Sequence, residues 1–382
     1  MRISGVRATA FSNPSGAPAM FCIHSQPQRI KSKAWVFCAA ARLLCMAEML
    51  CMGNAYSAQF VWETVPTGVE VSIRGLHAVD AKTIWACGSQ GTVLKSVDGG
   101  ESWSHHVLPD LNQVELRSIH GWNELEAIVA TAGQPCKILR TADGGLSWKT
   151  VFQQPAESAF IDGMKFWNER SGFAVGDPID GNWMILRSQD RGESWQTAPL
   201  EPVVAKRGEA AFAASNSSLI WLGPEVAMIG LGGNEGAAQI LHTVDSGRTW
   251  TRRDVPGILR HESAGIFSLA ADRTGRMVAV GGDYKKPELA SRHIAISTDG
   301  GVSWSVPTGP APRGFRSCVA YVEFKNSPLW ITVGTNGGEW SHDGETWQPL
   351  SDDPFHALSV TSDGHAWASG SKGRIARLLA LP

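Results

Sequence analysis

Between residues 71 and 108, short runs of alternating apolar and polar positions are separated by clusters of Gly, Asp and Ser: Val71 to Val79, Thr83 to Gly88, Gly91 to Ser96 and Ser102 to Leu108. A period of two over runs this short is the signature of β-strands, and the intervening turn residues predict an antiparallel four-stranded unit. The same order returns with inner strands expected near Leu116, Gly163, Glu209, Gly265, Phe315 and Phe355. Seven units are therefore predicted.

The turn before each outer strand is almost invariant. Ser96, Asp98, Gly100, Ser102 and Trp103 form Ser-x-Asp-x-Gly-x-Ser-Trp, and the pattern recurs from Thr141 through Asp143 to Trp148, Ser188 through Asp190 to Trp195, Thr243 through Asp245 to Trp250, and Ser297 through Asp299 to Trp304. A shortened copy runs from Ser341 through Asp343 to Trp347. In such a turn the carboxylate accepts local N–H bonds, Gly permits positive φ and the hydroxyl closes the network, so these Asp residues are assigned a structural role. The Trp is expected to pack back between neighbouring sheets.

The last unit, Phe355 to Leu379, lacks both the Asp turn and an outer strand, whereas Phe60-Val61-Trp62-Glu63-Thr64-Val65-Pro66 reads like the outer strand Glu193 to Pro199 without its turn. The expected fold is an all-β, seven-bladed β-propeller with Asp-box turns, its ring closed by an amino-terminal outer strand in the last blade. Trp62 is expected to pack near Ile375.

These motifs carry a family resemblance. Asp boxes of this form occur in sialidases and other secreted propellers. The wider blade pattern at Val93 to Trp103, Ile138 to Trp148 and Ile185 to Trp195 resembles the photosystem II stability and assembly factor family. That resemblance covers roughly residues 60 to 379. It implies a noncatalytic assembly propeller whose partners are membrane-complex subunits, although Asp-box propellers also include hydrolases.

Residues 1–58 differ from the rest of the chain. Arg29, Lys31 and Lys33 precede two apolar stretches, Ala34 to Ala41 and Leu43 to Met52, and Ala55-Tyr56-Ser57-Ala58 offers a small-residue cleavage site before Gln59. An export segment over 1–58 and a single propeller domain over 59–382 are expected, with a periplasmic or extracellular location. Arg42 and Glu48 interrupt the apolar region, and Leu precedes both Cys45 and Cys51 where lipid attachment wants a small residue. No later stretch is apolar enough to span a membrane.

Losing six basic residues and one acidic residue with that segment changes the formal charge from -2 to -7, which disfavours nucleic-acid binding. Only Cys87, Cys136 and Cys318 then remain of seven cysteines, so a disulfide-built scaffold is not expected. A monomer with no cofactor and no metal is expected, since there is no HExxH, CxxC or phosphate-binding loop.

The loops after each second strand and the links between blades should open on one face, opposite the Asp boxes. The longest such loops carry Asp177, Asp180, Glu235, Asp283, Tyr284, Lys285, Lys286 and Arg292, and the links carry Arg207, Arg260, His261, Glu262, Arg313 and Arg316. Arg207, Arg260 and Arg313 are spaced so that they could ring one rim and take a carboxylate or phosphate. This is the expected binding face. A sialidase needs a Tyr nucleophile, and only Tyr284, beside Asp283, offers that neighbourhood. Another glycosidase could pair Asp177 or Asp180 with Asp283. The leading expectation is a secreted, noncatalytic protein-binding propeller. The alternatives are a glycan hydrolase using the same face and a structural module of an extracellular assembly.

Overall fold

The computed structural model describes residues 60–381 apart from 214–215, 234–235 and 326, so the expected export segment lies outside the described residues. Those residues form seven antiparallel sheets, and among them no helix is long and apolar enough to cross a membrane. The first sheet runs outward through Ile73–Ala78, Ile84–Gly88, Thr92–Ser96 and Ser104–Val107. The middle strands are buried on both faces and the outer one is mostly exposed. A sheet stacked between two neighbours requires that pattern: apolar residues on both sides inside, polar ones at the rim.

The second, third and sixth sheets repeat this order from inner strands Glu115–Gly121, Ile161–Phe166 and Cys318–Phe324. The fourth departs from the sequence expectation. Its inner strand is Leu219–Trp221, and Glu209–Ala210 instead pairs with Gly232–Gly233 at the start of a five-stranded sheet whose next member is Ala264–Ala271. The reason is the turn after this strand. Leu222 N–H donates to Val226 O as Trp122 N–H does to Glu126 O, so residues 219–221 occupy the place of the second sheet's inner strand. The segment from Glu209 to Ser218 thereby becomes part of a long link.

Among the described residues, neighbouring inner strands share no ladder, and side-chain acceptors take N–H groups between them. Ser359 Oγ accepts from Ala78 N at 2.9 Å, His77 Nδ1 from Gly121 N at 3.1 Å, Asn216 Oδ1 from Met164 N at 3.0 Å and Ser268 Oγ from Val319 N at 2.9 Å. Leu269 N bonds Ser217 O at 2.8 Å.

The Asp turns hold the sheets at larger radius. Asp98 accepts Ser96 Oγ at 2.8 Å, Ser102 N at 2.9 Å and Ser102 Oγ at 2.5 Å, and Asp143, Asp190, Asp245 and Asp299 repeat the set. Asp343, in the shortened turn, accepts from Glu345 N and Thr346 N, both at 2.8 Å. The Gly that ends each turn lies over the second strand of the preceding sheet. Gly247 has φ +81°, and a Cβ there would sit 2.3 Å from Phe173 Cζ. Gly100, Gly145, Gly192, Gly301 and Gly344 meet Trp367, Trp85, Ile128, Met228 and Val278 in the same way.

The seventh sheet consists of Ala357–Val360, Ala366–Ser369 and Ile375–Ala380, with Phe60–Val65 as its outer strand. Phe60 faces Ala380 and Val65 faces Ile375 across this ladder. Trp62 stands opposite Leu378, on the third strand beside which it is expected to pack. Its ring lies 5.4 Å from Phe355, while Phe60 packs edge-on against Phe324 and Trp340 of the sixth sheet. Burial of Phe60, Trp62 and Val65 contributes on the order of 2 kcal/mol each. Cys87, Cys136 and Cys318 are buried and free.

Three outcomes are expected. Val61 and Leu379 are facing and exposed, so the pair Val61→Cys and Leu379→Cys should cross-link in the folded protein and not in urea, read by a gel shift. Gly247→Ala combines a positive φ with a collision in a filled core, and should lower stability by about 3 kcal/mol in denaturant titration. Hydrogen bonds from Ser102, Ser147 and Ser303 hold the carboxyls of Asp98, Asp143 and Asp299 down to about 2 against an ordinary 3.8. Their contribution is present above pH about 4 and disappears as pH falls towards 2. An Asp98→Asn, Asp143→Asn variant should be less stable at pH 7 and show a flatter stability curve across that window.

Candidate functional site

Four inner strands break register near the end where the links enter: between Ile73 and Gly75, Leu116 and Ser118, Ile161 and Gly163, and Ile266 and Ser268. The extra residues are Arg74, Arg117, Asp162 and Phe267. A bulge re-aims the side chain it carries, and here it does so at the same level of the first, second, third and fifth sheets.

On one side the result is a charged cluster. Glu115 takes Arg74 at 3.0 Å and Arg117 at 2.7 Å. Burial pushes the Asp162 carboxyl well above its usual range, Asp177 raises it further and Arg117 only partly opposes them. Asp162 Oδ2 has no hydrogen-bond partner among the described residues. Asp177 is raised by burial as well, although its Oδ1 accepts Ala211 N–H at 3.1 Å.

That bond anchors the second half of the site. Phe212, the next residue, stacks on Phe267 with ring centres 3.9 Å apart and planes 8° from parallel. Tyr284 meets both rings edge-on at 6.2 Å, and Phe315 meets Phe267 at 4.7 Å. Glycine makes this stack possible, since a Cβ on Gly232 would lie 1.9 Å from Phe212 Cε2. Phe267 and Phe315 are buried, but Tyr284 is 46% exposed.

The residues expected on this face have divided fates. Asp177, Asp283 and Tyr284 are brought to the cluster. Arg260 is buried and bonds Glu209 at 3.2 Å, while Arg316 is fully buried against Glu339, with Nε to Oε2 at 2.6 Å. Arg313 bridges Glu339 at 3.1 Å and Asp352 at 2.9 Å. The expected rim of three guanidinium groups is therefore not assembled: Arg260 is buried on Glu209, while Arg313, tied to Glu339 and Asp352, and Arg207 are exposed. Asp180 and Arg292 are exposed at loop positions with φ 50° and 54°. Glu235 lies outside the described residues.

Asp283 is buried. Burial alone would raise its carboxyl, but the Ser263 hydroxyl at 2.7 Å, Lys285 N–H at 2.9 Å and nearby His261 together hold it below the usual range. His261 Nε2 lies 3.5 Å from it. Asp283 is thus held as an anion more firmly than an ordinary carboxylate, whereas burial shifts Asp162 and Asp177 the opposite way. Among the described residues no group of three or more His, Cys, Asp and Glu side chains is placed to hold a metal.

Sequence reasoning missed Arg74, Arg117, Asp162, Phe212, Phe267 and Phe315. Their signal was faint: Arg74, Arg117, Asp162 and Phe267 each interrupt the alternation of an inner strand, and Phe212 and Phe315 lie in the links before one, which reads as noise until the bulges are seen. Glu209 and Glu339 were missed as partners because each meets its Arg across 51 and 23 residues.

A family model described as photosynthesis system II assembly factor YCF48 matches residues 54–156. The photosystem II assembly lipoprotein Ycf48 of Synechococcus sp. (strain CC9902) is 24% identical over 336 residues, covering 83% of this chain and 87% of that protein. A solved structure titled YCF48 bound to D1 peptide superimposes with TM-score 0.58 at 18% identity, covering 86% of this chain and 97% of that one. The WD40 β-propeller domain of Doa1 superimposes with TM-score 0.56 at 13% identity, covering 84% and 97%. The fold is that of a β-propeller, and the resemblance to the photosystem II assembly factors holds in sequence as well as in fold.

Removing Glu339 would strand the buried Arg316. Glu339→Ala should lower stability by about 3 to 5 kcal/mol in denaturant titration, far more than Arg313→Ala at its exposed partner.

Proposed function

We propose that this relative of the photosystem II assembly factors is a noncatalytic propeller that binds an extended segment of a client protein on the bulge face. The observation that carries the reading is the half-exposed Tyr284 capping the Phe212, Phe267 and Phe315 stack. A rigid aromatic platform with one ring open to solvent suits an apolar anchor side chain. Exposed Lys285, Lys286, Arg207 and Arg292 suit acidic neighbours in the same segment. The relative whose structure is titled as bound to D1 peptide supports a peptide of a membrane-complex subunit as the ligand class.

Seven blades in one closed ring are part of the same proposal, supported by the pairing of Phe60–Val65 with Ile375–Ala380. So are one domain over 59–382 and export after loss of residues 1–58. A relative described as a lipoprotein supports a location outside the cytoplasm, against the unfavourable Leu before Cys45 and Cys51.

The second reading, a glycan hydrolase, is favoured by one feature. Asp162 and Asp177 are raised carboxyls close enough to influence each other, and a general acid needs a proton at neutral pH. Its partner would not be Asp283, which is tied to Ser263 and Lys285.

Tagged protein captured from its native host should bring down a specific membrane-complex subunit, and Tyr284→Ala should reduce that capture at least tenfold while Glu101→Ala, at an Asp turn, leaves it unchanged. Turnover in a glycan-cleavage screen that is abolished by Asp177→Asn, with no partner recovered, would replace this reading by the second.

A further inference from the structure

A cavity of ≈ 830 Å³ lies among the inner strands, and its lining reaches Asp272, Gly275 and Gly300 at the turns on the Asp-box side. It is therefore distinct from the bulge face. One residue of each inner strand stands on the ladder rung that ends just before the Asp turn. His77 opposes Trp85 and through it Lys95, His120 opposes Ile128 and Arg140, and Lys165 opposes Phe173 and Arg187. The next three sheets place Ile220, Ala270 and Ala320 on this rung. All six line the cavity. Three adjacent sheets thus contribute nitrogen-bearing side chains and the next three aliphatic ones, while the seventh places Ser359 on this rung, its hydroxyl taken up by Ala78 N–H.

The nitrogen side is unbalanced. No carboxylate pairs with Lys165 among the described residues; burial holds its amine below the ordinary range, and the neighbouring Cys318 opposes this only in part. The acids at the cavity mouth are engaged elsewhere: Glu323 with Arg273 at 3.0 Å, and Asp272 with Thr274 and Arg276. His77 accepts Gly121 N–H at Nδ1, which makes Nε2 the protonated, donating nitrogen. Burial and Lys165 hold the His77 imidazole down to about 4, and burial with His77 itself keeps His120 well below its ordinary value. Both rings are held towards the neutral form, so of these three groups the Lys165 amine is the one able to carry a positive charge. Lys165 is only partly buried on the cavity wall, and an anion entering the cavity would give it the counter-ion it lacks among the described residues.

We propose that this cavity binds a small organic carboxylate with an apolar body. The carboxylate would sit on the Lys165 ammonium and the His77 Nε2–H, and the body against Ile220, Ala270 and Ala320. The volume falls within the range of about 300 to 1,000 Å³ usual for small-molecule sites. A single ammonium beside one imidazole N–H matches the two oxygens of one carboxylate. The aliphatic wall has nothing to offer a compact inorganic ion.

Calorimetric titration of the full chain with benzoate tests this, with inorganic phosphate as the second arm. Saturable one-site benzoate binding is expected, weakened at least tenfold by Lys165→Met and largely restored by Lys165→Arg. Ala270→Leu, which keeps the cation and narrows the apolar wall, should weaken it too. No saturable benzoate binding, or equal binding by Lys165→Met, would overturn the assignment. Phosphate binding as tight as benzoate would overturn the apolar part of it. Should Lys165→Met fail to fold, the unmodified protein decides: benzoate should slow amine-reactive labelling of Lys165, read by peptide mass spectrometry, and equal labelling with and without benzoate rejects the site.

Discussion

Inner strands that converge on a central cavity cannot ladder with one another, because each already gives one edge to its own sheet and its neighbour lies across a wedge of space. Their remaining N–H groups are buried, and a buried donor left unmatched costs about 1 to 3 kcal/mol. Side-chain acceptors from the adjoining strand supply the match. Ser359, His77, Asn216 and Ser268 each reach one sheet or further to take an N–H. Asn216 does so twice, donating its amide to Ile119 O at 2.8 Å as well. These bonds fix how far apart successive sheets stand at the centre, and the glycines of the Asp turns fix it at the periphery.

Both candidate sites grow from that constraint. With the inner strands held at a set spacing, a bulge near the link end has room to turn its extra residue towards the opening, which gathers Arg117, Asp162 and Phe267 from three separate sheets. Deeper in, the side chain on a given rung faces the cavity instead. His77 serves both the contact between the first two sheets and the cavity, since the ring that holds Gly121 also lines it. A change in what fills the cavity therefore bears on the contact between the first two sheets.

Charge on the bulge face obeys a consistent rule. Arg260 and Arg316, the most buried guanidinium groups, each have a buried carboxylate within hydrogen-bond reach, and Arg313 and Arg252 add a second cation to the same two acids. Ion pairs of this kind keep the long links in place more than they advertise charge. What remains exposed is an aromatic ring, Tyr284, with lysines beside it. That distribution favours recognition through an apolar anchor, with electrostatics steering approach.

The order of residues alone specified the Asp turns, the succession of strands around them and the affinity of Phe60 to Val65 for an outer-strand position. Those features are local: Asp98 and Ser102 are four residues apart, and every partner the carboxylate needs lies within the same turn. Long-range pairing was needed to make Leu219–Trp221, and not Glu209, the fourth inner strand, to stack Phe212 on Phe267, and to bring Lys165 to the level of His77 and His120. Each of these depends on contact between segments tens of residues apart. A one-residue bulge is enough to change which side chain faces the opening, and alternation along the chain does not record it.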